Sequence, residues 1–344
     1  MFSKSKALGL LLITVFLAAS VQVAQAKTKK LKIGLSMDTL KEERWQRDRD
    51  LFVAKAKELG AEVAVQAANG NDALQISQAE NLLTQGVDIL VVVPHNGVAA
   101  AAIVTAAHKV GKKVLAYDRM IEKADVDLYM SFDNVEVGRM QAKYILEKAP
   151  KGNFMVLGGA PTDHNAKLYR QGQLEVLKPK IDKGEVKIVA DPWAREWLAS
   201  EALRHTENVL SKNKDNLQAI IAPNDGTAGG VVAALKQQNL AGKIPVSGQD
   251  ADLAACQRIV DGTQTMTVYK PIRLLAEKAA EVAVQLARGE TPKTASTINN
   301  GKKDVPSILI TPILVDRGNI DQTVIKDGFH KKADVYKNQN SKTL

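Results

Sequence analysis

The chain has 344 residues, length enough for two ordinary domains, with a formal net charge of +9 and only 4% aromatic residues. Its basic residues are spread and not clustered, which excludes the charged stripes and stacking platforms of a nucleic-acid surface. A lone cysteine, Cys256, excludes an intramolecular disulfide and reads as a small buried hydrophobe.

The first residues read as an export signal. Lys4 and Lys6 precede an uncharged apolar run from Ala7 to Ala19, and Ala24-Gln25-Ala26 offers a small-x-small cleavage site. Cleavage is expected after Ala26, leaving a soluble mature chain. The run is shorter than the roughly 20 apolar residues of a membrane span, and no cysteine follows it to carry a lipid.

Beyond Lys30, short runs rich in Val, Ile and Leu alternate with helical stretches. Strands are predicted at Leu31–Met37, Ala61–Gln66, Asp88–Val93, Lys113–Tyr117 and Asp127–Phe132. A second series follows at Asn153–Leu157, Val186–Ala190, Gln218–Ala222, Ile244–Ser247 and Thr265–Val268. The first helix, Glu43–Leu59, puts Trp45, Phe52, Ala56 and Leu59 on one face and stops at Gly60. Such alternation means right-handed βαβ units in open, doubly wound sheets.

The pattern restarts near Asn134, so the expected fold is α/β, with two similar doubly wound parallel-sheet lobes joined by a multi-strand hinge. The chain is expected to cross between lobes near Asp133, at Lys270-Pro271 and within a strand Leu309–Val315 that contains Pro312. The first lobe then takes residues 27–133 plus about 271–311, and the second 134–270 plus about 312–330. Residues 331–344 read as a polar, flexible tail.

Ligands of such sheets sit beyond the C-terminal strand ends. Those ends carry Asp38, Glu43-Arg44-Trp45, Asp118-Arg119, Asp163-His164-Asn165 with Arg170, Trp193 and Trp197, Asn224-Asp225, Gln249-Asp250 and Lys270. Carboxylates and amides that accept, set beside guanidinium groups that donate, suit a polyhydroxylated ligand. Indole faces can cover the C–H faces of a sugar ring. Polar residues at strand ends also cap helices, and Asp225 in particular reads either way. There is no glycine-rich phosphate cradle and no nucleophile elbow. The five histidines lack metal-ligand spacing, so no metal, cofactor or thiol chemistry is expected.

Longer motifs carry a resemblance. Asp38-Thr39-Leu40 with Glu43-Arg44-Trp45-Gln46-Arg47-Asp48-Arg49-Asp50, then Ala68-Asn69-Gly70-Asn71 and Leu115-Ala116-Tyr117-Asp118-Arg119-Met120, are similar to segments of the periplasmic D-xylose-binding proteins. So are Ser131-Phe132-Asp133-Asn134, Gly248-Gln249-Asp250-Ala251-Asp252 and the run from Gly262 to Pro271. Val305-Pro306-Ser307 and the run from Ile325 to His330 complete a likeness that spans the mature chain. The resemblance implies a type I periplasmic-binding fold, a monomer located in the periplasm, and a partner permease of an ATP-driven (ABC) transporter. It places ligand contacts on Arg44, Asp118, Arg119, Asn165, Arg170, Asn224, Asp250 and Lys270, with Trp45 and Trp197 as stacking indoles; of the nearby pair Trp193 and Trp197 it favours the latter. A binding protein for another pentose or hexose remains the near alternative. An exported carbohydrate-active enzyme using Asp118 and Asp250 is a further one, but guanidinium groups beside both would keep them ionised and spoil a general acid.

Overall fold

The structure is a computed structural model that describes residues 30–213 and 216–340; the expected signal peptide, residues 1–26, lies outside the described residues. The first sheet is built from β1 (Lys32–Met37), β2 (Glu62–Ala67), β3 (Ile89–Val92), β4 (Lys113–Tyr117) and β5 (Leu128–Phe132). Helices α1 (Glu43–Glu58), α2 (Asp72–Thr84) and α3 (Ala101–Lys109) connect the first four. After β5 the chain leaves this sheet through α4 (Asn134–Lys148), β6 (Gly152–Val156), α5 (His164–Asp182), β7 (Val186–Ala190), α6 (Ala199–Asn213), β8 (Ala219–Ile221), α7 (Asp225–Gln237) and α8 (Leu253–Val260). Strand β9 (Thr267–Tyr269) leads back to α9 (Ile272–Ala287), β10 (Ser296–Asn299) and β11 (Asp304–Ile310), and β12 (Ile313–Val315) follows.

The first sheet has the order β10-β11-β5-β4-β3-β1-β2, all parallel except edge strand β10. Helices α1 and α9 cover one face over a core of Leu35, Phe52, Leu115 and Ala279. Helices α2 and α3 cover the other over Leu82, Leu90, Ile103 and Val114. The second sheet, β7-β6-β8, is parallel and likewise buried on both faces, by α6 and α7 on one side and α4 and α5 on the other. Strands β9 and β12 form a separate antiparallel pair.

Three predictions from sequence need correction. The stretch Ile244–Ser247 is not a strand and carries only two isolated bridges, Ile220 to Val246 and Ala241 to Ile244. Pro245 has no N–H to give, and the Val246 N–H is taken by the Thr265 hydroxyl at 2.9 Å. The strand expected over Leu309–Val315 breaks at Thr311-Pro312 into β11 and β12, which belong to different sheets. The tail from residue 331 is not flexible through Asn340. It forms two short helices, α10 (Lys332–Val335) and α11 (Lys337–Asn340). Val335 is fully buried against Ile320 and Val324, and the Tyr336 hydroxyl donates to Asp321 at 2.9 Å. Strand β10, short and polar, was not predicted.

Helix α5 brings residues to the site, and two glycines fix its seat on α4. A Cβ on Gly172 would lie 2.0 Å from the Val135 carbonyl oxygen, and one on Gly138 would lie 2.1 Å from that of Tyr169. Only hydrogen fits between these backbones. Gly172→Ala is therefore expected to cost about 1–3 kcal/mol by overpacking, read as a lower urea midpoint with unchanged slope. A midpoint equal to wild type would show that the two helices separate freely.

Candidate functional site

The C-terminal ends of the two parallel sheets face one another. Glu42, Arg44, Trp45, Asp118 and Arg119 from the first lobe enclose a cavity with Asp163, Asn165, Tyr169, Trp197, Asn224, Gln249, Asp250 and Lys270. All the ligand residues expected from sequence line it except Arg170. The cavity is small, about 30 Å³, room for about two waters, because side chains from the two lobes meet across it.

Arg44 sits in the first turn of α1 and is buried. Its Nε donates to Asp48 Oδ2 at 3.2 Å, one turn along the same helix. Its Nη2 donates to Asp118 Oδ2 at 2.9 Å, and Nη1 reaches Asp250 Oδ1 of the second lobe at 3.3 Å. Burial would lower the Arg44 pKa, but these three carboxylates raise it well above its ordinary value. Asp48 also accepts from the Tyr117 hydroxyl. Fully buried, its carboxyl is pushed up to about 6.

Asp118 follows β4 with φ +60°, and Asp250 has φ +97°. Both site carboxylates thus stand on left-handed backbone, which non-glycine residues occupy at a cost and which Asp tolerates better than most. Burial would raise the Asp118 carboxyl, but Arg44, Lys270 and Arg119 outweigh it and hold it below its ordinary value. It is a standing acceptor and not a proton donor.

Arg119 is shared between lobes. It donates from Nη1 to Asp38 Oδ2 at 2.7 Å and to the Pro94 carbonyl at 3.3 Å, while Nε pairs with Asp163 Oδ2 at 2.8 Å. Asn165, which opens α5, donates from Nδ2 to both the carbonyl and the carboxylate of Asp118 at 3.1 Å. Its Oδ1 accepts from Asn134 at 3.0 Å and Tyr129 at 3.4 Å, so its amide is fixed in orientation. Lys270 is buried, which lowers its pKa against the pull of Asp118 and Asp250; its Nζ donates to the Tyr169 hydroxyl at 2.7 Å. Asn224 caps α7 by accepting from the Thr227 N–H at 3.0 Å. Gln141, buried on α4, donates to the carbonyls of Pro223 and Gly248 at 3.1 Å, stitching together the loops that carry Asn224 and Asp250.

The indoles separate cleanly. Trp45 is buried at the cavity wall with the Arg44 guanidinium 4.2 Å from its ring centroid. Trp197 lines the cavity and meets Tyr169 edge-on at 6.3 Å. Its ring lies where a Cβ on Gly159 would be, 2.2 Å away, so Gly159 must stay bare. Trp193 lies instead over Gly158 and covers Arg170. Arg170 does not reach the cavity wall: Nη2 donates to the Val156 carbonyl at 2.9 Å and Nη1 pairs with Asp191. Asp225, ambiguous in the sequence, is buried behind the site, accepting from Thr267 and Gln264 at 2.8 Å.

Sequence reasoning missed Tyr169 and Glu42. Tyr169 lies four residues after Asn165, on the same face of one helix, so helical spacing from a chosen residue was the available signal. Among the described residues no group of three His, Cys, Asp or Glu is placed to hold a metal.

Two facing parallel sheets with a polar, indole-walled cleft between them find their counterpart in known proteins. Residues 33–291 match the model of a periplasmic binding protein domain. The chain belongs to that family. It is a family of substrate-binding proteins of ABC transporters and not of enzymes. The chain is 54% identical to the D-xylose-binding periplasmic protein of Haemophilus influenzae, over 94% of this chain and 98% of that one. It is 55% identical to the D-xylose-binding periplasmic protein of Escherichia coli, over 90% and 94% respectively. Among solved structures, a carbohydrate transporter solute binding protein from Chloroflexus aurantiacus, in complex with D-glucose, superposes with a TM-score of 0.82 at 33% identity. That match covers 89% of this chain and 98% of the other.

Tyr169→Phe leaves the fold's apolar contacts in place and strips the buried Lys270 ammonium of its neutral acceptor. An unsatisfied buried donor costs about 1–3 kcal/mol. Chemical denaturation near neutral pH should show that loss, whereas unchanged stability would mean that Lys270 is hydrated.

Proposed function

We propose that this periplasmic binding protein takes up D-xylose in the periplasm and delivers it to an ABC sugar permease, making and breaking no bond. The observation that carries the reading is the standing pattern of acceptors and donors around one cleft. Asp118 and Asp250 would accept from sugar hydroxyls, while Arg44, Arg119, Asn165, Asn224 and Lys270 would donate. Trp45 and Trp197 would cover the apolar faces of the ring. Identity above half to two D-xylose-binding proteins supports D-xylose as that sugar. Arg170 enters the reading only as a support, through its contacts with Val156 and Trp193.

In this reading residues 27–133 plus about 271–311 form one lobe and 134–270 plus about 312–330 the other. They close about the three chain passages at Asp133, Pro271 and Pro312, a hinge motion around ligand. The chain acts as a monomer with no nucleic-acid partner. The leader is removed after Ala26, so mass spectrometry of periplasmic protein should find a chain that begins at Lys27. A membrane-bound chain retaining Met1 would contradict that.

Calorimetry against a panel of pentoses and hexoses tests the sugar, with D-xylose expected to bind most tightly. Asp118→Ala is expected to weaken D-xylose binding by about 30-fold to several thousand-fold, since removing one partner of a buried charged hydrogen bond costs roughly 2–5 kcal/mol. Affinity within about threefold of wild type, in a variant with native circular dichroism, would put Asp118 outside the site.

A further inference from the structure

Outside the cavity, at the rim of the cleft, a histidine of the first lobe meets a glutamate of the second. His95 follows β3. Its Nδ1 lies 2.6 Å from Asp72 Oδ1 and its Nε2 lies 2.8 Å from Glu196 Oε2. Its backbone N–H donates to Gln75 Oε1 at 2.9 Å, and Asn96 donates to the second oxygen of Asp72 at 3.0 Å, so the ring is held on its own lobe. A neutral imidazole can donate from one nitrogen only. With a carboxylate oxygen at each nitrogen, only the doubly protonated ring satisfies both.

Glu196 is no ordinary surface acid. It immediately precedes Trp197, in a tight turn over Arg195–Trp197, and the two residues have φ +52° and +56°. Two consecutive left-handed residues, neither of them glycine, make a costly turn that persists only where its surroundings hold it. The Glu196 carboxylate is the handle by which the opposite lobe does so. Lys167 pairs with Glu122 across the cleft at 2.9 Å at another point of the rim, but that pair holds no residue of the cavity wall.

We propose that protonated His95 is a positioning residue of the closed state, pinning Glu196 and thereby the turn that sets Trp197 against the sugar. The inference rests on the reading of the cleft as a sugar site. The charged groups facing the ring are Asp72 from α2, Glu196 from the turn and, farther off, Asp38 after β1, itself paired with Arg119; Lys41 and Glu42 line the same recess. Burial would lower the His95 pKa, but the bonds to Asp72 and Glu196 prevail and raise it above 6.5. Opening the lobes removes Glu196, so closure raises the affinity of the ring for its proton. By reciprocity the sugar binds more tightly when His95 is charged, and this advantage disappears as pH rises through the closed-state pKa.

The test compares wild type, Glu196→Gln, His95→Gln and the double variant by D-xylose calorimetry between about pH 5.5 and 9. A partly exposed ion pair of this kind corresponds to about a two- to fivefold change in affinity. Each single variant is expected to bind about two- to fivefold more weakly than wild type at the acid end and equally at the alkaline end. The double variant should lose no more than either single one. His164, on the other side of the rim, is present in every variant and cancels in these ratios. Nuclear magnetic resonance of the His95 ring supplies the second readout: saturating D-xylose should move its titration upward in wild type but not in Glu196→Gln. A variant-to-wild-type ratio near one at acid pH, a ratio that does not change with pH, or a ring titration indifferent to sugar would each overturn the clamp. If wild type took up no D-xylose, the sugar reading would fall by itself. The clamp would then be decided by the same ring titration, wild type against Glu196→Gln, with whichever sugar of the panel the protein does bind.

Discussion

A guanidinium taken out of water costs several kcal/mol unless every direction it presents is answered, and Arg44 is answered from three sides. Asp48 lies on its own helix, Asp118 at the end of β4, and Asp250 across the cleft. The rest of the site follows from that arrangement. Asp48, itself bonded by the Tyr117 hydroxyl, fixes the guanidinium against its own helix, Arg44 with Lys270 and Arg119 holds the Asp118 carboxyl below its ordinary value, and Asp250 brings a contact from the second lobe. Arg44 spans the gap, and the cavity left between the side chains is about 30 Å³, room for about two waters. In the proposed D-xylose reading, a sugar would take over part of what Arg44 now does, with a hydroxyl replacing the direct contact to Asp250.

The same logic runs through the other bridging groups. Arg119 ties Asp38 to Asp163, and Asn165 ties α5 to Asp118. Each is a polar group whose partners come from both lobes, so each is fully satisfied only when the lobes are together. Parallel sheets make this possible because all their C-terminal ends point one way. Glycines at close approaches let it happen at short range, as where Trp197 lies over Gly159. The left-handed backbone at Asp118 and Asp250 is the local cost of aiming two carboxylates at one point.

Much of this was legible in the sequence, because parallel strands buried on both faces read as continuous apolar runs and their ends are therefore easy to find. The residues just past those ends supplied Arg44, Asp118, Arg119, Asn224 and Asp250 without any structure. The reading failed where a residue's place depended on something other than a strand end. Tyr169 lies inside a helix, and Arg170 beside it was turned away by Trp193 and Asp191. The segment Ile244–Ser247 has the composition of a strand, yet Pro245 and the Thr265 hydroxyl deny it a ladder. Val335 and Tyr336 are a short apolar pair in a polar stretch, too little pattern to announce that the tail packs. The helix contacts that seat α5 on α4 depend on two glycines far apart in sequence, and pairing them needs the fold.

The most direct measurement is a crystal structure of the mature chain with D-xylose at near-stoichiometric concentration. The account predicts one sugar between Trp45 and Trp197, with its hydroxyls on Asp118, Arg119 and Lys270, and a hydroxyl standing where Arg44 now touches Asp250. A sugar bound outside the cleft, or inside it with the Arg44–Asp250 contact unbroken, would contradict the claim that this guanidinium holds the sugar's place.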